Sequence, residues 1–217
     1  MSFLGMTIPL IIIAMAGCLR LLGRRWWCSC GRPAPWTSAV TSGCNSQHVA
    51  DPYSATHLQH GLGFYLLLWA LRYPLSWLVM AVVFIDLQWT ISPESWIWVV
   101  LQGLADVYAG AWDNRFAVIV LLEAIFECVE NTNWSIQRFR KQTISRGYTG
   151  DAIANSVGDT LCCLAGAWYG SVVPIPASIV LALAIEFGLL LTIRDSLVVN
   201  IVMLVHPIEW LKRWQNS

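Results

Sequence analysis

His57 and His60 stand three residues apart, Glu123 and Glu127 four apart, and Asp151, Asn155 and Asp159 follow one another at intervals of four. On a helix each of these sets lies along one face. Imidazole and carboxylate groups at such spacings, presented by facing helices, are how helix bundles hold metal ions. The mixture suits Zn, Mn or Fe better than Ca. The expected ligands of a divalent metal are His57, His60, Glu127 and Asp159, with Glu123 or Asp151 as catalytic base. Without a cation, carboxylates held this close raise one another's pKa and some stay protonated. Farther on, Arg138, Arg140, Lys141 and Arg146 could clamp the phosphate or other anionic head of a substrate, or simply be a solvated loop touching anionic lipid. Each residue also has an ordinary explanation: histidines snorkel at membrane interfaces, Asp151 suits a helix N-cap, and Glu130 with Asn131 can end a helix.

The elements that must position these groups are helices in a membrane. The chain has 217 residues, 57% hydrophobic and only 12% charged, where soluble domains carry about 25%. Many of its 13 tryptophans sit near the ends of apolar runs, as in interfacial aromatic belts. Taking about 20 apolar residues per span, the runs are about 3–23, a helix opened by Ser54 that Pro74 should end or kink, 75–90, 92–110, 115–131, the helix opened by Asp151, and 177–204. The expectation is an all-α, polytopic transmembrane bundle in one domain, 1–217. It has about five core spans, an inserted hairpin within 75–112 that brings the total to about seven, and an amphipathic C-terminal helix, "HPIEWLKRWQ", on the interface. Whether or not the hairpin spans, counting crossings puts both histidines, the three glutamates, the Asp151 stripe, Arg194, Asp195 and Asn200 on one side. The ordinary explanations do not account for that convergence. Ionisable groups within spans cost at least ~2.5 kcal/mol at mid-helix and point to function. The stripe of Asp151, Asn155 and Asp159 is therefore expected to face the bundle, with Asp159 within about 8 Å of the histidines or glutamates. Cys28, Cys30 and Cys44 share the loop 24–53 and could form a disulfide or a metal clip.

The stretches "NSQHVADPYSATHLQHGLGFY", "LLEAIFECVENTNWSIQRFRKQTIS", "GYTGDAIANSVGDTL" and "IRDSLVVNIVMLVHPIEWLKRWQ", with "CSCG" near the front, resemble a bacterial family of multi-pass membrane proteins, domain of unknown function 2585. The family typically joins its H-x-x-H-G helix to its Glu-rich helix by a short turn, so 75–112 looks inserted. It usually has Trp where this chain has Phe126. The resemblance implies an inner-membrane location and a single polar site, and brings no known reaction. A more distant similarity to VanZ-like membrane proteins hints at cell-envelope lipid or glycopeptide biology.

Three functional readings compete. The first is an accessory or assembly subunit of a larger inner-membrane complex, meeting membrane-protein partners, or a pigment, through the Trp-rich hairpin; His57 or His60 could even ligate a porphyrin-type metal. It leads because an aromatic insertion is more easily a contact surface than a catalytic part. The alternative is a metal-dependent hydrolase or transferase of a lipid-linked phosphate at the membrane interface. The third is a proton-coupled transporter using Glu186 and Asp159. Membrane lipids are expected partners; the zero formal net charge gives no support to nucleic acid. Ten of the thirteen Lys and Arg lie on the cluster's side: Arg20, Arg24, Arg25, Arg32, Arg138, Arg140, Lys141, Arg146, Lys212 and Arg213. The positive-inside rule puts that side in the cytoplasm, whereas a disulfide-forming C-x-C loop would face the periplasm.

Overall fold

The computed structural model describes residues 3–38, 40–89, 100, 103, 110, 112–144 and 147–216, with backbone alone for 3–6 and 72–89. The described residues are helical, with a lone parallel bridge between Trp36 and Ala50. In chain order the helices are α1 (Phe3–Leu21), α2 (Ser54–Trp89), α3 (Arg115–Glu130), α4 (Asn133–Gln142), α5 (Ile153–Val172), α6 (Ile175–Ile193), α7 (Leu197–Val205) and α8 (Glu209–Gln215). Among the described residues, α6 is the one helix long and apolar enough to cross a membrane; its mean hydropathy is 2.1.

The most intimate packing is between α2 and α5, which run parallel. A Cβ on Gly61 would lie 1.8 Å from Cys163 O, and one on Gly166 would lie 2.1 Å from Leu58 O. These two glycines let the backbones touch, as small residues do at close helix crossings. The register that results sets Ser54 and His57 beside Asp159. Helix α3 runs antiparallel to α2, with Ile119, Tyr65, Cys163 and Ala167 in one shared core. Helix α1 closes the other flank of α3 and α5 through Met15, Leu19, Ala124 and Ile153. Helix α6 reaches α2 through Gln59, whose Nε2 donates to Ala182 O at 3.0 Å and to Glu186 Oε2 at 3.1 Å.

Four expectations are corrected. Helix α2 continues through position 74 to Trp89, so of the end or kink expected at Pro74 the end does not occur, and 54–74 and 75–89 are one helix. Proline in a long helix is tolerated where neighbouring groups take up the freed carbonyl. By helical rise α2 is about 54 Å long. Its first half lies in the bundle, and the chain is back beside Tyr65 by Trp112, with 6.1 Å between ring centroids. The region expected as a loop, 132–150, contains α4, started by Thr132, whose side chain accepts from Ser135 N. The last apolar run is not one helix. Arg194 takes a left-handed conformation, φ 53°, and Ser196 caps α7 by accepting from Val199 N. Finally, Asp151 does not cap α5. Ala152 occupies that position, and the first free amides donate to a distant loop: Ile153 N to Arg25 O at 2.8 Å and Ala154 N to Trp26 O at 3.2 Å. The proposed helix 92–110, with Ser92 and Pro93 at its start, lies outside the described residues, as does Arg146.

Candidate functional site

The ends of α1, α3 and α6 and the beginnings of α2 and α5 meet at one end of the bundle. There Glu123, fully buried, lies between two histidines. Its Oε1 pairs with His57 Nδ1, and its Oε2 is 3.1 Å from His60 Nδ1. Glu127, one turn on, brings Oε1 to 3.4 Å from His57 Nδ1. Neither of its oxygens accepts a hydrogen bond, although the residue is fully buried. On the other side of His57, Nε2 is 3.7 Å from Asp159 Oδ2. Asp159 Oδ1 accepts from Ser54 Oγ at 2.5 Å, which fixes the carboxylate toward the histidine. Phe126 lies edge-on to His60, at 4.8 Å between centroids, and to His57 at 6.1 Å.

Asp151, Asn155 and Asp159 all face inward and are all buried. Asp151 has partners of its own: Asn131 Nδ2 donates to Oδ2 at 2.6 Å, Tyr148 OH donates to the same oxygen at 2.9 Å, and Asp151 N donates to Asn131 Oδ1 at 2.7 Å. Burial pushes its carboxyl up to about 6, while the bonds from Asn131 and Tyr148 pull it down. Asn155 is 1% exposed, and neither polar atom of its side chain has a hydrogen-bond partner. Unpaired buried polar atoms are uncommon and call for an explanation such as an ion or water.

The basic residues are placed differently. Arg138 Nε donates to Leu204 O at 2.7 Å, and its Nη2 donates to the same carbonyl. Arg140 Nε donates to Tyr148 O. Lys141 contributes a carbonyl to Lys212 Nζ at 2.9 Å. Both guanidiniums therefore fasten α4 to its surroundings, and neither lines the cavity described next. Glu186 is likewise an anchor: beyond Gln59, its Oε1 accepts from Val198 N at 3.0 Å.

The cluster opens into a cavity of about 140 Å³. His57, His60, Asp151 and Asp159 form its polar floor, with Glu130, while Phe126, Phe139, Ile201 and Leu204 give it apolar walls. Among the described residues three groups of side chains are close enough to hold a metal ion. They are His57, His60 and Glu123; His57, Glu127 and Glu130; and Cys28, Cys30, Cys44 and His48, each with ligand atoms within 4.8 Å of one another. Sequence spacing placed Glu130 with the other glutamates, three residues from Glu127, without naming it a ligand, and did not single out Ser54, Asn131 and Tyr148 as supports. The signal for Asn131 was present: it is four residues from Glu127, the same face of α3.

The chain belongs to the family described as protein of unknown function DUF2585, whose model matches residues 19–100 and 96–217. The two stretches meet inside the 75–112 segment. A UPF0314 protein of Brucella anthropi is 34% identical over 215 residues, which cover 99% of this chain and 91% of that protein. A UPF0314 protein of Sphingopyxis alaskensis is also 34% identical, over 94% of this chain and 90% of its own. One from Rhizobium meliloti is 32% identical over 90% and 81%. No solved structure matches the chain.

Proposed function

We propose that this chain is a multi-pass protein of the bacterial inner membrane whose buried His–carboxylate cluster holds a divalent metal and carries out hydrolysis or group transfer on an amphiphilic substrate. The observation that carries this reading is the pairing of Glu123 with both histidines beside Glu127, a buried carboxylate that accepts no hydrogen bond. Two imidazoles and a carboxylate from facing helices make an open-sided ligand set of the kind catalytic metals use. Glu123 is better placed as ligand than as base. Glu127 and Glu130 offer further ligand atoms next to His57, Glu127 at the same Nδ1 that pairs with Glu123.

A metal there would supply Lewis acidity and a water of lowered pKa. The chain's own groups do the rest. Ser54 orients Asp159 on His57 Nε2, and Asn131 and Tyr148 orient Asp151 at the cavity floor. Asp151, whose carboxyl burial pushes up from its ordinary value, is placed to accept a proton at that floor. Phe126, Phe139, Ile201 and Leu204 provide an apolar surface for a lipid-like tail. Because Arg138 and Arg140 are tied to backbone carbonyls, an anionic head would be met by the metal rather than by the basic helix.

The membrane placement rests on α6 and on exposed apolar residues around it, such as Val180, Phe187 and Leu191. The Trp-rich hairpin needed by the accessory-subunit reading lies largely outside the described residues, and the transporter reading loses Glu186 to its anchoring bonds. The test is metal analysis of the full-length protein purified in detergent, as wild type, His57→Ala and Glu123→Gln. Each variant is expected to lose one equivalent of divalent metal per chain relative to wild type while still inserting in membranes. Unchanged metal content in both would refute the reading.

A further inference from the structure

We propose that Cys28, Cys30, Cys44 and His48 form a second, closed metal centre, a structural Zn²⁺ site that staples the loop on which α5 is seated. This site shares no residue with the one above. Cys28 Sγ is 3.3 Å from Cys44 Sγ, and Cys30 Sγ is 3.7 Å from His48 Nε2; one ligand atom from each residue lies within 4.8 Å of all the others. A regular tetrahedron with Zn–S of about 2.3 Å and Zn–N of about 2.0–2.1 Å separates two sulfurs by about 3.8 Å and sulfur from nitrogen by about 3.6 Å. The four atoms thus stand near the edges of that tetrahedron.

The surroundings prepare them as ligands. His48 Nδ1 is 2.6 Å from Ala34 O. That contact puts the ring proton on Nδ1 and leaves the Nε2 lone pair facing Cys30, the arrangement metal-bound histidines show. Cys30 N donates to Cys28 Sγ at 3.5 Å, which fixes that sulfur within the group. Cys28 and His48 are buried, at 5% and 3% exposure. A disulfide between Cys28 and Cys44 would use two of the four groups and leave Cys30 facing His48 Nε2 without purpose.

The loop has a reason to be stapled. Between α1 and α2 the described residues pair within the loop through turns and the Trp36–Ala50 bridge, and the carbonyls of Arg25, Trp26 and Ser46 receive the amides of Ile153, Ala154 and Ala152. Val49 O also packs where a Cβ on Gly158 would stand, 1.9 Å away. A small irregular segment gains its fixed shape from a metal when it lacks a core of its own. The assignment also removes the conflict over sidedness. Three reduced thiolates on zinc suit the cytoplasm, the side to which the positive-inside rule assigns this end of the chain.

The test uses full-length protein purified in detergent from zinc-supplemented cells. Cysteine alkylation is followed by mass spectrometry, with and without a strong chelator. Cys28, Cys30 and Cys44 are expected to be protected until the chelator is added, and zinc to leave at the same step. After exchange of zinc for Co²⁺, wild type and His57→Ala should both show a thiolate-to-cobalt charge-transfer band, and Cys30→Ser and Cys44→Ser should lose it. Alkylation that is equally fast with and without chelator, a mass showing Cys28 and Cys44 already oxidised, or the lack of the cobalt band in wild type would each overturn the proposal. The alkylation and wild-type arms decide even where a serine variant fails to fold.

Discussion

At the scale of single residues, this end of the protein is a set of buried carboxyls that differ in what surrounds them. Glu123 has two histidines, Asp151 has an amide and a phenol, and Glu127 has no hydrogen-bond donor. Asp195 is the best supplied. It accepts from Tyr53 OH at 2.9 Å, Ser196 N at 2.9 Å, Gln215 Nε2 at 3.1 Å and Asn200 Nδ2 at 3.3 Å, joining α2, α7 and α8. Burial nonetheless pushes its carboxyl up from 3.8 to about 6, with these donors pulling the other way. The folded state thus holds the proton more tightly than the unfolded chain. This group's contribution to stability is complete below about pH 4 and is lost as pH rises through 6. The expected outcome is that wild type loses a few kcal/mol relative to Asp195→Asn between pH 4 and pH 7, read as a fall in the wild-type thermal midpoint relative to that of the variant. A difference that stays flat over that range would contradict the assignment. Helical spacing made the polar groups legible in the sequence, because periodicity of 3.6 is a local property. It could not say which partner each carboxyl has, since Ser54, Asn131 and Tyr148 come from other elements.

At the scale of elements, the site depends on how closely α2 and α5 approach. Gly61 and Gly166 are the cause, and substituting either forces backbone apart rather than a flexible side chain. Gly166→Val, whose Cβ would meet Leu58 O at 2.1 Å and Leu62 N at 3.2 Å, is expected to destabilise the protein by at least 1–3 kcal/mol, the usual range for overpacking. It should also weaken metal retention by drawing His57 away from Asp159. Gly63→Val is the control, since a Cβ there meets nothing within 4 Å; an equal effect from both substitutions would refute the close-crossing argument. The helices themselves were mostly legible from apolar runs. What was not legible were their ends. Pro74 does not stop α2, and α5 is capped by carbonyls more than a hundred residues away, so Asp151 is free for a different task. The run 177–204 divides at Arg194 to Ser196, where Ser196 caps a new helix and Asp195 draws donors from three directions.

At the scale of the whole molecule, two clusters of side chains that could hold a metal lie at the same end, one open to an amphipathic cavity and one within a loop that seats α5. On the proposed reading the tasks are separate: the Cys–His group would fix the platform, while the His–carboxylate group faces the space a substrate could enter. Convergence of the ionisable groups was legible from counting crossings. The closed cluster was only half legible, because His48 lies in an irregular loop where no periodicity links it to the cysteines. The central claim is that the space between His57, His60 and Glu123 is a metal site. Diffraction from crystals of the full-length protein, with an anomalous difference map at the absorption edge of the bound metal, tests it most directly. The account predicts a peak about 2.0–2.2 Å from a nitrogen of each histidine and a carboxylate oxygen of Glu123. A map that shows metal elsewhere in the molecule, with His57 Nδ1 still paired directly to Glu123 and no peak between them, would contradict it.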